Sequence, residues 1–270
     1  MRMPILAALT VAATALLGAT SAFANPVSCI SGVCVPIGGT YLDTSVSAET
    51  LVQNPNDILS GVFTTTAITN GAFQSTYTGY GFGGTYLAGF FTDFKLVNID
   101  NSVTGHTLLQ FTGGSLKYYV SATDNIVTDQ GVANDIANIV NNGQLWAAFD
   151  AITGSNGYTL TIDVVGTPGS FTGASTDFVF LDVAAIPGLA GNFFNSNTQI
   201  DTNGIARDMS FSGTASAFSG SNPCTTDFFV CGSNTAKSQV LPVPEPVTLS
   251  LFGAGLAGAA ALRRRKAQKA

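Results

Sequence analysis

Residues 158–164 have the sequence Tyr158-Thr159-Leu160-Thr161-Ile162-Asp163-Val164, in which polar and apolar side chains largely alternate. A period of two is that of a β-strand with one buried face and one solvated face. The preceding Ser155-Asn156-Gly157 contains the Asn-Gly pair that favours tight antiparallel hairpins. This stretch therefore predicts antiparallel β-structure.

Similar β-prone runs recur along the chain and are separated by Gly, Asn, Asp and Ser. Together with 158–165, the clearest runs are residues 58–68, 85–97, 106–111, 116–120, 177–183 and 209–218. Thr69-Asn70-Gly71 is a second turn signal, and we find no repeat of fixed period. The pattern predicts a mainly β fold, an antiparallel, jelly-roll-like β-sandwich.

One segment has helical periodicity instead. Val132, Ile136, Ile139 and Val140 fall at i, i+4, i+7 and i+8, and would share one face of a short helix. Asn141-Asn142-Gly143 follows as a stop signal. We expect this to be the one helix of the exported part of the chain.

The charge of the chain is unevenly distributed. Residues 25–242 hold 15 acidic side chains but only four basic ones, so their formal net charge is −11; the basic residues are Lys95, Lys117, Arg207 and Lys237. Nucleic-acid binding needs clustered cations that displace counterions from phosphate. This composition argues against nucleic acid as a partner. The exported region, of about 215 residues, is long enough to form a sizeable core.

The first 24 residues have the features of a secretory signal peptide. Arg2 supplies the positive start, residues 5–17 are apolar, and Ala22-Phe23-Ala24 is a small-x-small cleavage site. The apolar run is short for a transmembrane anchor, the alternative interpretation. We expect signal peptidase to cut after Ala24, so that the mature chain begins at Asn25.

The C-terminal residues form three parts in a fixed order. Val243-Pro244-Glu245-Pro246 must be extended, because each proline fixes its own φ and restricts the residue before it. Residues 247–262 are uncharged and apolar, and as a helix they would reach ~24 Å, somewhat short of the ~30 Å hydrocarbon core. A basic cluster follows, comprising Arg263, Arg264, Arg265 and Lys266. By the positive-inside rule this cluster stays cytoplasmic.

This arrangement resembles the PEP-CTERM sorting family of Gram-negative bacteria. The resemblance covers about 25 residues and implies recognition by exosortase, a membrane-embedded transpeptidase-like cysteine enzyme, which would cut near Pro244-Glu245-Pro246. It implies export by the Sec machinery, a transient stay in the inner membrane, and transfer to the cell surface or the exopolysaccharide matrix. An ordinary tail anchor with a proline-rich stalk is the alternative.

These observations predict three regions. Residues 1–24 form the signal peptide, residues 25–240 the exported β-domain, and residues 241–270 the sorting signal, with its motif at 243–246, its membrane segment at 247–262 and its basic tail at 263–270.

Four cysteines fall into two local pairs, Cys29 with Cys34 and Cys224 with Cys231. Disulfides are expected because the periplasm is oxidising. Local bonds are favoured, whereas crossed bonds would tie the two ends of the domain together. A zinc site built from four thiolates does not fit the spacing or the compartment.

The sequence contains few candidates for chemistry. Gly79-Tyr80-Gly81-Phe82-Gly83-Gly84 matches the dinucleotide-binding pattern, but a strand-like run follows where that pattern needs a helix. His106 is the only histidine and lacks a nucleophile motif, so we expect a polar residue at a strand start. No pair of acids lies in a recognisable catalytic context. We therefore predict no catalytic residues, no cofactor and no enzyme activity.

Two binding hypotheses remain. Asp201-Thr202-Asn203-Gly204, with Asp208 beyond it, resembles part of a calcium loop but lacks the other oxygen ligands, so we expect a turn and no metal. The aromatic residues that could form a sugar-stacking platform are Trp146, Tyr77, Tyr80, Tyr86, Tyr118 and Tyr119. Most such rings belong to the core or to cross-strand pairs.

The sequence thus predicts a non-catalytic surface or matrix protein that exosortase processes. It would stay with exopolysaccharide and support biofilm or floc formation, because its C-terminus and composition resemble those of floc-associated members of the family. The alternatives are a lectin-like carbohydrate-binding module and, third, a secreted glycan hydrolase. Exposed flat aromatic rings beside polar groups would favour the lectin, and a cleft with two acids about 5–10 Å apart would favour the hydrolase.

Overall fold

The computed structural model describes residues 27–50, 52–70, 75–78, 84–126, 131–167, 170–216 and 231–240. The predicted signal peptide, Cys224 and the sorting signal from residue 241 lie outside these ranges. Within them the chain is mainly β, as predicted, and no helix there is long and apolar enough to cross a membrane.

The described residues form fifteen strands and two helices. The strands are β1 (Val27–Ile30), β2 (Val33–Pro36), β3 (Gly38–Glu49), β4 (Ile58–Asn70), β5 (Ser75–Thr78), β6 (Tyr86–Asp100), β7 (His106–Thr112), β8 (Ser115–Ser121), β9 (Gln144–Ile152), β10 (Leu160–Thr167), β11 (Ser170–Val183), β12 (Gln199–Ile200), β13 (Ala206–Arg207), β14 (Met209–Ser216) and β15 (Cys231–Val240). The helices are α1 (Val132–Asn142) and α2 (Gly191–Phe194).

Eleven strands form one antiparallel sheet, in the order β10-β7-β6-β8-β9-β11-β14-β15-β3-β4-β5. Two further pairings join β6 to β4 and β10 to β11. Followed from β6 through β8, β9, β11, β14, β15, β3 and β4, the pairing returns to β6, so the sheet closes on itself. The antiparallel prediction is confirmed. The prediction of a jelly-roll-like sandwich is corrected. A sandwich has two separate sheets, whereas these eleven strands form one closed sheet.

Two long strands, β6 and β11, each have two successive partners along one edge. β6 pairs with β4 on one side, and on the other with β8 and then with β7. β11 pairs with β14 on one side, and on the other with β10 and then with β9. The pairs β8–β9 and β7–β10 therefore lie side by side between β6 and β11.

The interior of the sheet contains a cluster of aromatic rings. Trp146 and Tyr118 are fully buried, and their ring centroids lie 6.3 Å apart in an edge-to-face contact. Phe194 of α2 packs edge-to-face on Trp146 at 5.5 Å, so this short helix contributes to the core. Four residues are too few to give a helical period, which is why the sequence predicted only one helix. Burial raises the pKa of Tyr118, whose hydroxyl has no hydrogen-bond partner among the described residues.

The contact between β4, β6 and β8 depends on a glycine. Gly89 of β6 pairs with Phe63 of β4 and with Tyr118 of β8, so all three residues face the interior. The two rings meet beside the glycine, with centroids 5.1 Å apart. A Cβ at Gly89 would overlap both the Phe63 ring and the carbonyl oxygen of Lys117. Gly89 therefore allows β6 to pair closely on both edges where the sheet closes.

Helix α1 covers the outer side of the same junction. Its buried residues Val132 and Ile139 pack in one cluster with Val62, Ala88 and Phe90 of β4 and β6. The predicted helix and its end are confirmed, because the Gly143 N–H donates to the carbonyl of Ile139. The predicted apolar face is only partly correct, since Val140 is 42% exposed and Asp135 is buried instead.

The Cys29–Cys34 disulfide is present and joins directly opposed residues of the β1–β2 hairpin. This confirms the local pairing for these two cysteines and excludes both crossed connectivities. The indole N–H of Trp146 donates to the carbonyl of Ile30 at 3.2 Å, which links the hairpin to the core. The Cys224–Cys231 bond stays a prediction, because Cys224 lies outside the described residues.

Replacing Gly89 with alanine is expected to lower the free energy of unfolding by about 3 kcal/mol, as overpacking against a backbone oxygen does. The matched control is Gly39→Ala in β3, where nothing lies within 4 Å of the added Cβ. Urea unfolding of the two variants measures the difference. Equal stability of the two would contradict the role given to Gly89.

Candidate functional site

The dinucleotide-like pattern ends at the start of a strand. Residues 79–83 lie outside the described ranges, but Gly84 is followed by β6 from Tyr86 onward. A dinucleotide site needs a helix there, whose N-terminus would hold the pyrophosphate. The predicted strand after the glycines is confirmed, and it takes the place of the helix that a dinucleotide site needs.

His106 is the first residue of β7, as predicted. Its Nδ1 lies 2.9 Å from Oδ1 of Asp163 on the neighbouring strand β10. Both side chains are about 40% exposed, so they form a cross-strand pair at the surface. An exposed pair of this kind has little effect on stability.

The Asp201 segment forms a turn, as predicted. One carboxylate oxygen of Asp201 accepts the N–H groups of Asn203 and Ile205, at 2.7 and 2.9 Å. The other accepts Nε–H of Arg207 at 2.9 Å. Within the described residues, no group of three or more His, Cys, Asp or Glu is arranged to hold a metal ion.

Arg207 connects the turn to β11. Its guanidinium also donates to Asp182 at 2.8 Å, while the Asp208 carboxylate accepts the backbone N–H groups of Val183 and Asn197. Burial of Asp201 opposes its ionisation, but the hydrogen bonds from Ile205, Arg207 and Asn203 outweigh burial and lower its pKa. These acids are therefore engaged in holding the β12–β13 region to the sheet.

Two of the rings predicted for a sugar-stacking platform belong to the core. Trp146 and Tyr118 are fully buried, so neither can stack on a ligand. Tyr119 stacks on Phe90 with centroids 5.7 Å apart, and Tyr86 is half-buried. Tyr80 and the side chain of Tyr77 lie outside the described residues. The sugar-stacking hypothesis is therefore wrong for Trp146 and Tyr118.

A groove of about 190 Å³ opens on the outer face where β11 changes partner. Phe180 pairs with Ile152 at the end of β9, and Phe178 pairs with Thr161 at the start of β10. Because β9 and β10 diverge there, the loop between them forms one wall. The groove is lined by Ile152, Gly154, Ser155, Asn156, Tyr158, Thr159, Thr161, Phe178, Val179, Phe180 and Thr202.

The loop wall is held by its own hydrogen bonds. Asn156 Oδ1 accepts the N–H of Tyr158 at 3.1 Å, and the N–H of Gly154 donates to the carbonyl of Tyr158 at 2.8 Å. Ser155 donates its N–H to the hydroxyl of Thr202 at 3.2 Å, which joins the loop to the Asp201 turn. The predicted Ser-Asn-Gly turn is present, but it is no hairpin because β9 and β10 do not pair.

Two phenylalanines form the floor of the groove. Phe178 is 46% exposed, and its ring lies 4.7 Å from that of Phe180 at an interplanar angle of 84°. Neither phenylalanine was predicted as a site residue, because the candidates for sugar stacking were confined to Tyr and Trp. The sequence does contain a signal for this surface. Within residues 177–183, both faces of the strand carry apolar side chains, although one face must point outward.

A second cavity lies inside the sheet beneath the same strands. It measures about 30 Å³ and is lined mainly by apolar side chains, including Phe91, Phe94 and Leu181. A single water already needs ~10–15 Å³ of such volume, so this cavity is too small for an organic ligand.

Replacing Arg207 with leucine should destabilise the protein most at neutral pH. The wild-type Asp201 pKa is lowered, so its contribution to stability is present above the unfolded pKa and is lost as pH falls through the folded pKa. The variant lacks the arginine part of this contribution. The difference in free energy of unfolding between the wild type and the variant, measured with urea, should therefore become smaller below about pH 4. Lys95→Leu, at an exposed cation on β6, is the control. A deficit independent of pH would contradict the assigned interaction.

The C-terminus is identified by comparison with known proteins. A family model described as the PEP-CTERM protein-sorting motif matches residues 242–266. The match includes the predicted motif, the apolar segment and the basic cluster. No curated protein and no solved structure matches the chain at a significant level. The chain carries a C-terminal PEP-CTERM sorting motif, consistent with an exosortase substrate.

Proposed function

We propose that this chain is a non-catalytic surface or extracellular-matrix protein, processed by exosortase and retained with exopolysaccharide, where it supports biofilm or floc cohesion. The observation that carries the proposal is the sorting motif at residues 242–266. The motif supports an exported, exosortase-processed protein, and the matrix role is the step proposed beyond it.

Each part of the C-terminus has a role in this proposal. Pro244-Glu245-Pro246 keeps the backbone extended for the enzyme cleft. Residues 247–262 hold the exported domain in the inner membrane until cleavage, and the basic cluster from Arg263 anchors the cytoplasmic side. The Sec machinery and signal peptidase act first, at the N-terminal signal ending at Ala24.

Features of the exported domain agree with this destination. Its net charge of −11 across residues 25–242 favours solubility and disfavours binding to anionic polymers. The Cys29–Cys34 disulfide suits an oxidising compartment. Asp182 and Asp201 are bound to Arg207 rather than left open as an acid–base pair, which supports a non-catalytic role over a glycan hydrolase.

A lectin-like activity is the second candidate, and a specific observation favours it. The groove over Phe178 and Phe180 combines exposed aromatic surface with hydroxyl and amide groups. Such a site would give the retained protein a direct contact with its matrix.

Replacing Pro244-Glu245-Pro246 with three alanines should leave export intact and block the C-terminal cut. Alanines can extend the following apolar helix, whereas prolines keep the segment extended. The uncut domain should accumulate in the membrane fraction, facing the periplasm. Immunoblots of membrane, periplasmic and surface fractions measure this outcome.

The matched comparison neutralises the basic cluster from Arg263 to Lys266 and keeps the proline motif. This change weakens the stop-transfer anchor, so uncut domain should appear in the soluble fraction instead. Normal delivery of the alanine variant to the surface would show that the C-terminus is only a stalk and anchor.

A further inference from the structure

We propose that the groove over Phe178 binds an uncharged glycan chain of the surrounding matrix. The inference deepens the proposed function, on which it rests, by giving a site and a ligand class to the retention with exopolysaccharide. The groove lies on the outer face of the sheet, where β11 passes from β10 to β9.

The groove has an exposed aromatic surface. Phe178 lies on the outer face of β11, whereas its neighbour Val179 points into the core and is only 4% exposed. The Phe180 ring is nearly perpendicular to that of Phe178 and contacts it, so the two rings restrict each other's orientation. The C–H face of a sugar ring packs on such a surface and removes apolar area from water.

Polar side chains surround these two rings. The hydroxyls of Ser155, Thr161 and Thr202 and the amide of Asn156 line the same groove. Hydroxyls both donate and accept hydrogen bonds, as do the hydroxyls of a sugar. The Ser155–Thr202 hydrogen bonds and the Arg207–Asp201 pair hold the walls in place. A wall that is already ordered reduces the entropy cost of binding.

The lining of the groove is uncharged. None of the residues that line the groove is an Asp, Glu, Lys or Arg, although the exported region as a whole carries a net charge of −11. An anionic polymer would find no cation in the groove and would be repelled by the domain. A basic peptide would find no carboxylate among the lining side chains. An uncharged glycan fits these conditions.

The groove is smaller than a pocket that encloses a whole ligand. Its volume of about 190 Å³ is below the ~300–1,000 Å³ of pockets that enclose drug-sized ligands. The groove can therefore cover one or two sugar rings of a longer chain.

The test uses the native exported protein, extracted from the surface of producing cells, in native gels that contain a polysaccharide. The probes are the neutral glucans laminarin and dextran, with anionic alginate for comparison. At least one neutral glucan should retard the wild-type protein, and alginate should not. The Phe178→Ala variant should bind at least about tenfold more weakly, whereas Phe178→Tyr, which keeps the ring, should retain binding.

Val165→Ala is the matched control. Val165 lies on the neighbouring strand β10, is 45% exposed and does not line the groove, while Phe178 is 46% exposed. Its variant should bind like the wild type, and thermal unfolding checks that all variants are folded. Failure of both glucans to retard the wild-type protein would overturn the proposal. Equal retardation by alginate, or unchanged binding of Phe178→Ala, would also overturn it.

This test separates the site from the proposed function. If the wild-type protein binds no glucan but the alanine variant of the sorting motif stays in the membrane, the groove proposal fails and the sorting proposal stands. If glucan binding is observed but that variant reaches the surface normally, the sorting proposal fails and the groove proposal stands.

Discussion

The close approach of β4, β6 and β8 at Gly89 is the constraint on which the closed sheet depends. Because this position has no side chain, the rings of Phe63 and Tyr118 meet beside it on the inner face. On the outer face, α1 covers the same strands with Val132 and Ile139. The junction is therefore packed on both sides, and aromatic contacts extend from Tyr118 through Trp146 to α2. Because the interior is filled in this way, a binding surface has to lie on a part of the outer face that α1 does not cover.

The location of the groove follows from the same architecture. β11 is longer than β9 and β10, and along this edge its partner changes from β10 to β9 between Phe178 and Phe180. The loop that connects the two partner strands lies against the Asp201 turn through Ser155 and Thr202. A structural feature of the fold thus creates a fixed concave surface, and two outward aromatic side chains give it chemical character.

The sequence was most informative where one side of a segment is buried. Alternation in β10 and the helical period of α1 predicted real elements, because burial of one face imposes a period on the chain. β3 and β15 were missed because their Ser- and Thr-rich sequences lack apolar alternation. Closure of the sheet could not be predicted, since it depends on pairing between distant strands. The groove was missed for the same reason: it requires Thr202, β9, β10 and β11 to meet. The sorting motif, by contrast, consists of residues that are consecutive in the sequence, so local sequence was enough to find it.

In the function proposed for this chain, both ends serve targeting and the β-domain between them is the functional product. Intact mass of the native protein, measured with cell fractionation in strains with and without exosortase, tests it most directly. With exosortase present, the account predicts a surface-fraction chain that begins at Asn25 and lacks residues 263–270. Without exosortase, the uncut C-terminus should stay attached and the protein should remain in the membrane fraction. Recovery of the chain with residues 247–270 still attached from the surface of cells with active exosortase would contradict the account.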